Sequence, residues 1–215
     1  MDFNADLILP PDDYRYQGQK YHCAEERVYR FGCYPLPMVQ KIVYAGDTVK
    51  LLESLSWCHV HGYKDNGLSY CDALAIAQTR KLSMTCQPIC TFTVRLLNHI
   101  GVLARTVSFI TLDKPNRYSD GHRMLEFNDG SRWILVDMTT RRLFKVSGEY
   151  ISAKDLIHYG MPEVELEKFS EAPVLSYNDL KLNGYDFTFL TEDSLVREED
   201  LRIWYTRICQ SISYP

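Results

Sequence analysis

The sequence contains no apolar run approaching the roughly 18 residues that a membrane-spanning helix requires. Its opening residues, Met1-Asp2-Phe3-Asn4-Ala5-Asp6, are acidic where a secretory signal is basic. Those two absences predict a cytoplasmic chain with no membrane partner. Positive charge is also short: 24 Lys and Arg against 28 Asp and Glu leave a formal charge of −4, the wrong sign for neutralising a phosphate backbone. Nucleic acid is therefore not an expected partner. There is no glycine-rich loop to cradle a nucleotide, no Cys-x-x-Cys zinc spacing and no carboxylate-rich loop of the calcium type, so neither cofactor nor metal is expected. Repeats and low-complexity tracts are missing too, which excludes solenoids and fibres.

What is present suits a folded core. The chain has 215 residues, 46% of them hydrophobic and 24% charged, enough for one domain with extensions and too few for two full ones. The seven cysteines (Cys23, Cys33, Cys58, Cys71, Cys86, Cys90 and Cys209) are an odd number spread through the chain, which argues against a disulfide framework. Most are read as small buried hydrophobes.

Residues 1–46 carry Pro10-Pro11, Pro35 and Pro37 with no sustained period, and read as an extension of extended or irregular segments laid on the core. The core itself spans 47–146. Val49, Leu51, Leu52, Leu55, Trp57 and Val60 recur at helical intervals, with Asp47 or Thr48 as cap and Gly62 as stop. A second helix is predicted from Asp72 to Leu82, with Arg80 and Lys81 in its last turn. A third runs from Cys86 to Ile100 and is nearly apolar all round, which predicts burial; Thr85 caps it, Pro88 falls in the tolerant first turn and Gly101 closes it. Strand-like alternation follows at Thr106–Leu112 and His122–Phe127, then an Asp129-Gly130 hairpin signal and the apolar Trp133–Asp137 segment. Helices followed by an antiparallel meander make an α+β fold. In the C-terminal extension, 147–215, short helices are expected near Ala153–His158 and Glu198–Ser211.

A thiol becomes a nucleophile when ionised, and the start of a helix favours the thiolate through unpaired N–H groups and the positive end of the dipole. Cys86 is the cysteine placed that way, while Cys90, one turn on, should be packed in the interior. Such a nucleophile needs a base and a group to orient the base. A turn centred on Asp129-Gly130 puts His122 directly opposite Asp137 across the hairpin. Each residue has a plainer reading alone: His122 as a polar strand edge, Asp137 as a cap for the Thr139-Thr140 turn, Cys86 as a mere helix start. Cys58-His59-Val60-His61 with Cys71 lacks zinc spacing, and Arg141-Arg142 and Arg202/Arg207 read as solvated faces.

These residues resemble the transglutaminase-like superfamily of papain-type thiol enzymes. The likeness rests on Cys86-Gln87-Pro88-Ile89 opening a helix and Gly101-Val102-Leu103-Ala104-Arg105 closing it. It continues through His122-Arg123-Met124-Leu125-Glu126-Phe127 and Trp133-Ile134-Leu135-Val136-Asp137-Met138-Thr139. It covers Asp47 to Phe144, about half the chain. The resemblance implies a papain-like core in which the central helix carries Cys86 against an antiparallel sheet. It implies Cys86 as nucleophile, His122 as general base and then acid, and Asp137 as orienting carboxylate. The expected reaction passes through an acyl-enzyme formed from a peptide, amide or ester, ending in hydrolysis or in acyl transfer to an amine. The alternatives are a catalytically silent binding module on the same scaffold and a zinc-stabilised scaffold. For the oxyanion, the backbone N–H of Cys86 is the first donor to consider, ahead of Gln87 or Thr85.

Overall fold

The computed structural model describes residues 47–77, 81–110, 121–172 and 198–215, together with short strand segments in the first 46 residues. Those segments are extended, as their composition predicts. They are β1 (Ile8–Leu9), β2 (Asp13–Tyr16), β3 (Gln19–His22), β4 (Arg30–Phe31), β5 (Val39–Gln40) and β6 (Ile42–Val43). β1 pairs with β6, β2 with β3 and β4 with β5.

Helix α1 (Thr48–Trp57) starts where the sequence indicates, with the carboxylate of Asp47 accepting from the N–H of Lys50. It ends sooner than its apolar pattern suggests. His59–His61 leaves the helix to form β7, which pairs in parallel with β8 (Leu82–Met84). The expected end at Gly62 is thus corrected, and so is the second helix: α2 spans Tyr70–Ala77, and its predicted final residue Leu82 lies in β8. Both corrections have one cause. A buried strand of three residues has no period of its own, so a neighbouring helical pattern absorbs it.

Helix α3 (Cys86–His99) matches its expected span, and Gly101 adopts φ 86°, the left-handed conformation that suits a helix close. It is not apolar all round. Ile89, Cys90, Phe92, Thr93, Leu96 and Leu97 are buried, while Gln87, Thr91, Arg95, Asn98 and His99 face outward, so it covers the sheet with one face. Truncating a fully buried leucine such as Leu96 costs roughly 2–5 kcal/mol in such a setting.

The fold is α+β with a mostly antiparallel main sheet. Its strands are β9 (Ala104–Ile110), β10 (Gly121–Asn128), β11 (Trp133–Asp137), β12 (Arg142–Val146), β13 (Glu149–Tyr150), β14 (Glu165–Lys168) and β15 (Ser211–Ser213). The order is β13-β12-β11-β10-β9-β15, with β14 also pairing with β12. Helices α4 (Ala153–Tyr159) and α5 (Glu198–Ile208), with a single 3-10 turn at Met161–Glu163, complete the described elements. α5 stops before Ser211, because Ile212 pairs with Phe109 at the sheet edge instead of continuing the helix. Alternation along the strands builds two apolar clusters. Ala104, Leu125, Phe127, Ile134 and Val136 pack with α1–α3; Val107, Phe109, Met124, Leu135 and Phe144 pack with α4 and α5. Among the described residues, no helix is long and apolar enough to cross a membrane.

The β10–β11 register departs from expectation by two residues. Leu125 faces Val136, where a turn centred on Asp129-Gly130 would give it Ile134. Asp129 explains the shift. Its carboxylate accepts from the N–H groups of Ser131 and Arg132 and its own N–H bonds to the carbonyl of Arg132, so the turn is folded one position later than the dipeptide suggests.

Arg105, from the Gly-x-x-Ala-Arg run, lies between the rings of Trp133 and Tyr214, 3.9 and 4.3 Å from their centroids. It also donates to the buried carboxylate of Glu126 at 2.8 Å. The other oxygen of Glu126 receives the N–H of Ala153 at the start of α4. One arginine thus ties the chain's last residues and α4 to the central hairpin.

Candidate active site

Cys86 is the first residue of α3 and is half-buried. The chain leading to it is tightly held. Asp65 receives the N–H of Ser83 at 2.8 Å and donates its own to the Ser83 carbonyl at 2.9 Å. The Asn66 amide receives the N–H of Thr85 at 2.9 Å and donates to the Thr85 hydroxyl at 3.1 Å. Thr85 stands at the cap position in extended backbone without a side-chain cap bond, which corrects its expected role as a capping side chain. Pro88 has no N–H and that of Ile89 bonds to the Thr85 carbonyl, leaving the N–H groups of Cys86 and Gln87 as first-turn donors without a helical acceptor.

The His122 imidazole and the Arg123 backbone both favour the charged form of the Cys86 thiol. One turn on, Cys90 is fully buried and donates its S–H to the Arg123 carbonyl at 3.3 Å. The two cysteines separate as the helix geometry predicts, one at a polar end and one in the core.

His122 is the second residue of β10. The strand lies close to β9 here: a Cβ at the preceding Gly121 would meet the carbonyl oxygen of Phe109 at 2.9 Å, so position 121 requires glycine. The imidazole is buried, with its Nε2 2.9 Å from Asp137 Oδ2 and the indole of Trp204 packed edge-on at 4.8 Å. Asp137 ends β11. The two-residue register shift moves it from directly opposite His122 to the diagonal position, yet side chains alternate with period two, so it keeps the same face.

Four donors fill the Asp137 carboxylate. Oδ1 receives the N–H groups of Thr139 at 2.8 Å and Thr140 at 3.3 Å. Oδ2 receives the His122 ring at 2.9 Å and the Tyr205 hydroxyl at 2.7 Å. Asp137 thus caps the Thr139-Thr140 turn with one oxygen and hydrogen-bonds the His122 ring with the other. Since an ionised carboxylate only accepts, Nε2 of His122 carries hydrogen and Nδ1 is the nitrogen left for sulfur.

The electrostatics follow. Burial works against the charged form of His122, but the charge and hydrogen bond of Asp137, with help from Cys86, hold its pKa well above the ordinary value of 6.5. Burial likewise opposes ionisation of Asp137; His122, Tyr205 and the Thr139 N–H outweigh it and keep the carboxyl far below its usual range. For Cys86, burial pushes the thiol up, whereas the hydrogen bond and charge of His122 and the bond to Arg123 bring it below 9.0. Cys90 has no such help, and burial raises it well above that value.

A second buried imidazole, His59, is held by Arg141, four positions after Asp137. Arg141 is fully buried at φ 62°, and its guanidinium donates at 3.2 Å to Nδ1 of His59 and to the carbonyls of Ser56 and His59. His59 in turn donates Nε2–H to the Met84 carbonyl at 2.9 Å. Burial and then the Arg141 charge hold His59 well below 6.5, so it is neutral. Arg141 and Arg142 are thus buried, correcting their reading as a solvated pair. Among the described residues, no group of three His, Cys, Asp or Glu side chains could hold a metal ion.

The sequence reading missed Tyr205, Thr140, Trp204 and Arg141. One signal was available. Tyr205 stands four residues after Leu201 on the buried stripe of α5, and a hydroxyl on such a face must find a partner. No family model, curated protein or solved structure matches this chain.

Proposed function

We propose that the protein is a cysteine-nucleophile enzyme of transglutaminase-like type, a hydrolase or acyltransferase with a papain-like core, in which Cys86, His122 and Asp137 form the catalytic triad. The observation that carries this reading is the buried His122–Asp137 pair, joined at 2.9 Å, together with a Cys86 thiol at the start of α3 that His122 brings below its ordinary pKa.

In this scheme the Cys86 thiolate attacks an amide or ester carbonyl carbon, and the electron pair moves onto oxygen. The N–H of Cys86, and that of Gln87 beside it, are the donors that meet the oxyanion. His122 passes its proton to the departing amine or alcohol as the carbon–leaving-group bond breaks, giving the acyl-enzyme. Water or an amine then adds, His122 takes its proton, and sulfur is released. Asp137 keeps its charge throughout and stabilises the imidazolium. The substrate class is a peptide, another amide or an ester. A reducing cytoplasm suits such a thiolate.

The test is acylation by p-nitrophenyl acetate. A burst of p-nitrophenol equal to the protein present, with the acetyl group mapped to Cys86 and both lost in Cys86→Ala, is the expected result. No burst, together with equal alkylation of all the cysteines by iodoacetamide at pH 6, would instead indicate the silent binding module.

A further inference from the structure

We propose that Tyr205 is a positioning residue that tempers the triad: by sharing Asp137 Oδ2 with His122, its hydroxyl limits how strongly the carboxylate holds the imidazolium, and Thr140 sets the strength of that restraint. The proposal rests on the triad reading above and adds a fourth side chain, supplied by α5.

The geometry fixes the direction of each hydrogen bond. Tyr205 is fully buried and its hydroxyl lies 2.7 Å from Asp137 Oδ2 and beside the Thr140 hydroxyl. A phenol has one hydrogen. The carboxylate can only accept, so that hydrogen goes to Asp137, and Thr140 must donate to the Tyr205 oxygen. Thr140 O–H, Tyr205 O–H and Asp137 Oδ2 therefore form a one-way chain in which each donor makes the next more acidic. It ends on the oxygen that also receives His122 Nε2–H.

A carboxylate oxygen that already accepts from a phenol offers less electron density to a second donor, so His122 is less basic than it would be with Asp137 alone. The other ionisable groups facing this cluster are Cys86 and Cys90 from α3, Cys209 just after α5 and Arg141 from the β11–β12 connection. None of them gives Oδ2 a hydrogen bond. The Tyr205 ring packs edge-on against Phe144 at 5.1 Å, a contact that phenylalanine keeps, so the hydroxyl can be removed with the packing in place.

The experiment follows the rate of Cys86 alkylation by iodoacetamide against pH, with the modified cysteine identified by mass mapping, in the wild type, Tyr205→Phe and Thr140→Val. Freed from competition, Asp137 should hold the imidazolium more strongly and favour the thiolate. The onset of alkylation in Tyr205→Phe then moves to lower pH by about half a unit, part of the worth of a hydrogen bond to a charged group. Thr140→Val moves it in the same sense by less. A Tyr205→Phe onset that coincides with the wild type, or lies at higher pH, overturns the proposal, the second result marking Tyr205 as a plain support for Asp137. If Tyr205→Phe fails to fold, Thr140→Val decides by the same criterion. A wild-type onset in the ordinary thiol range would instead sink the triad reading itself, so the two failures are distinguishable.

Discussion

Two buried imidazoles lie in this molecule under opposite electrical conditions. His59 faces a guanidinium and is kept neutral; His122 faces a carboxylate and is kept protonated. Both are removed from water, and burial alone would lower both. The sign of one neighbour decides the outcome, and those neighbours, Arg141 and Asp137, are only four positions apart. The difference teaches that a buried histidine is not functional by virtue of burial. His59 spends both nitrogens on the fold, accepting from Arg141 and donating to Met84. His122 spends one on Asp137, and the other is the nitrogen that the proposed catalysis would use.

The contrast breaks most sharply on the thiol. Cys86→Ala should lower acyl transfer from p-nitrophenyl acetate by at least about 10³-fold while thermal unfolding stays near the wild-type midpoint. Next, Asp137→Asn should slow acylation by about 10²–10⁴-fold, because the amide no longer stabilises the imidazolium and permits the wrong ring tautomer. Arg141→Met tests the other imidazole. It should cost about 2–4 kcal/mol in denaturant unfolding, since His59 Nδ1 and two buried carbonyls lose their donor, with little change in the pH at which Cys86 alkylation begins. A loss of alkylation without a loss of stability would reverse the roles assigned to the two sites.

The histidines also predict opposite limbs of a stability profile. His122 has a folded pKa above its unfolded value, so its contribution is complete below pH 6.5 and fades as pH rises toward about 10. His59 has a folded pKa below 6.5, so its contribution is present above that pH and is lost as pH falls. Asp137 adds to the acid limb only below its unfolded value of 3.8. Urea midpoints measured from pH 5 to 9 should therefore show Asp137→Asn flattening the alkaline limb and leaving the acid one. The smallest effect is expected at Cys90→Ala, about 1 kcal/mol of lost packing, with the alkylation profile of Cys86 unchanged.

How much of this was legible depends on the range of the interaction. The α3 boundaries, the surroundings of Cys86 and the strand from His122 follow from local signals: a proline tolerated in a first turn, a glycine at a helix end, alternating apolar residues. The pairing of His122 with Asp137 was also foreseeable, although through a register two residues out, because an even shift leaves every side chain on its original face. Arg141 was misread because its sequence neighbours are polar, while its partners, Ser56 and His59, come from the opposite end of the core. Tyr205 was hidden for a related reason. Periodicity identifies α5 as amphipathic but not what its buried face meets, and Asp137 lies 68 positions away. The short parallel pair β7–β8 escaped because three residues are too few to display a period.

The five residues from Asp137 to Arg141 reach both halves of the molecule. At one end the chain serves His122 and α5; at the other, in a left-handed backbone turn, it anchors α1 and β7. Anyone transplanting the His122–Asp137 pair into a new scaffold would have to move the pentapeptide whole, because a single inserted residue would uncouple that pair from the buried arginine beneath it.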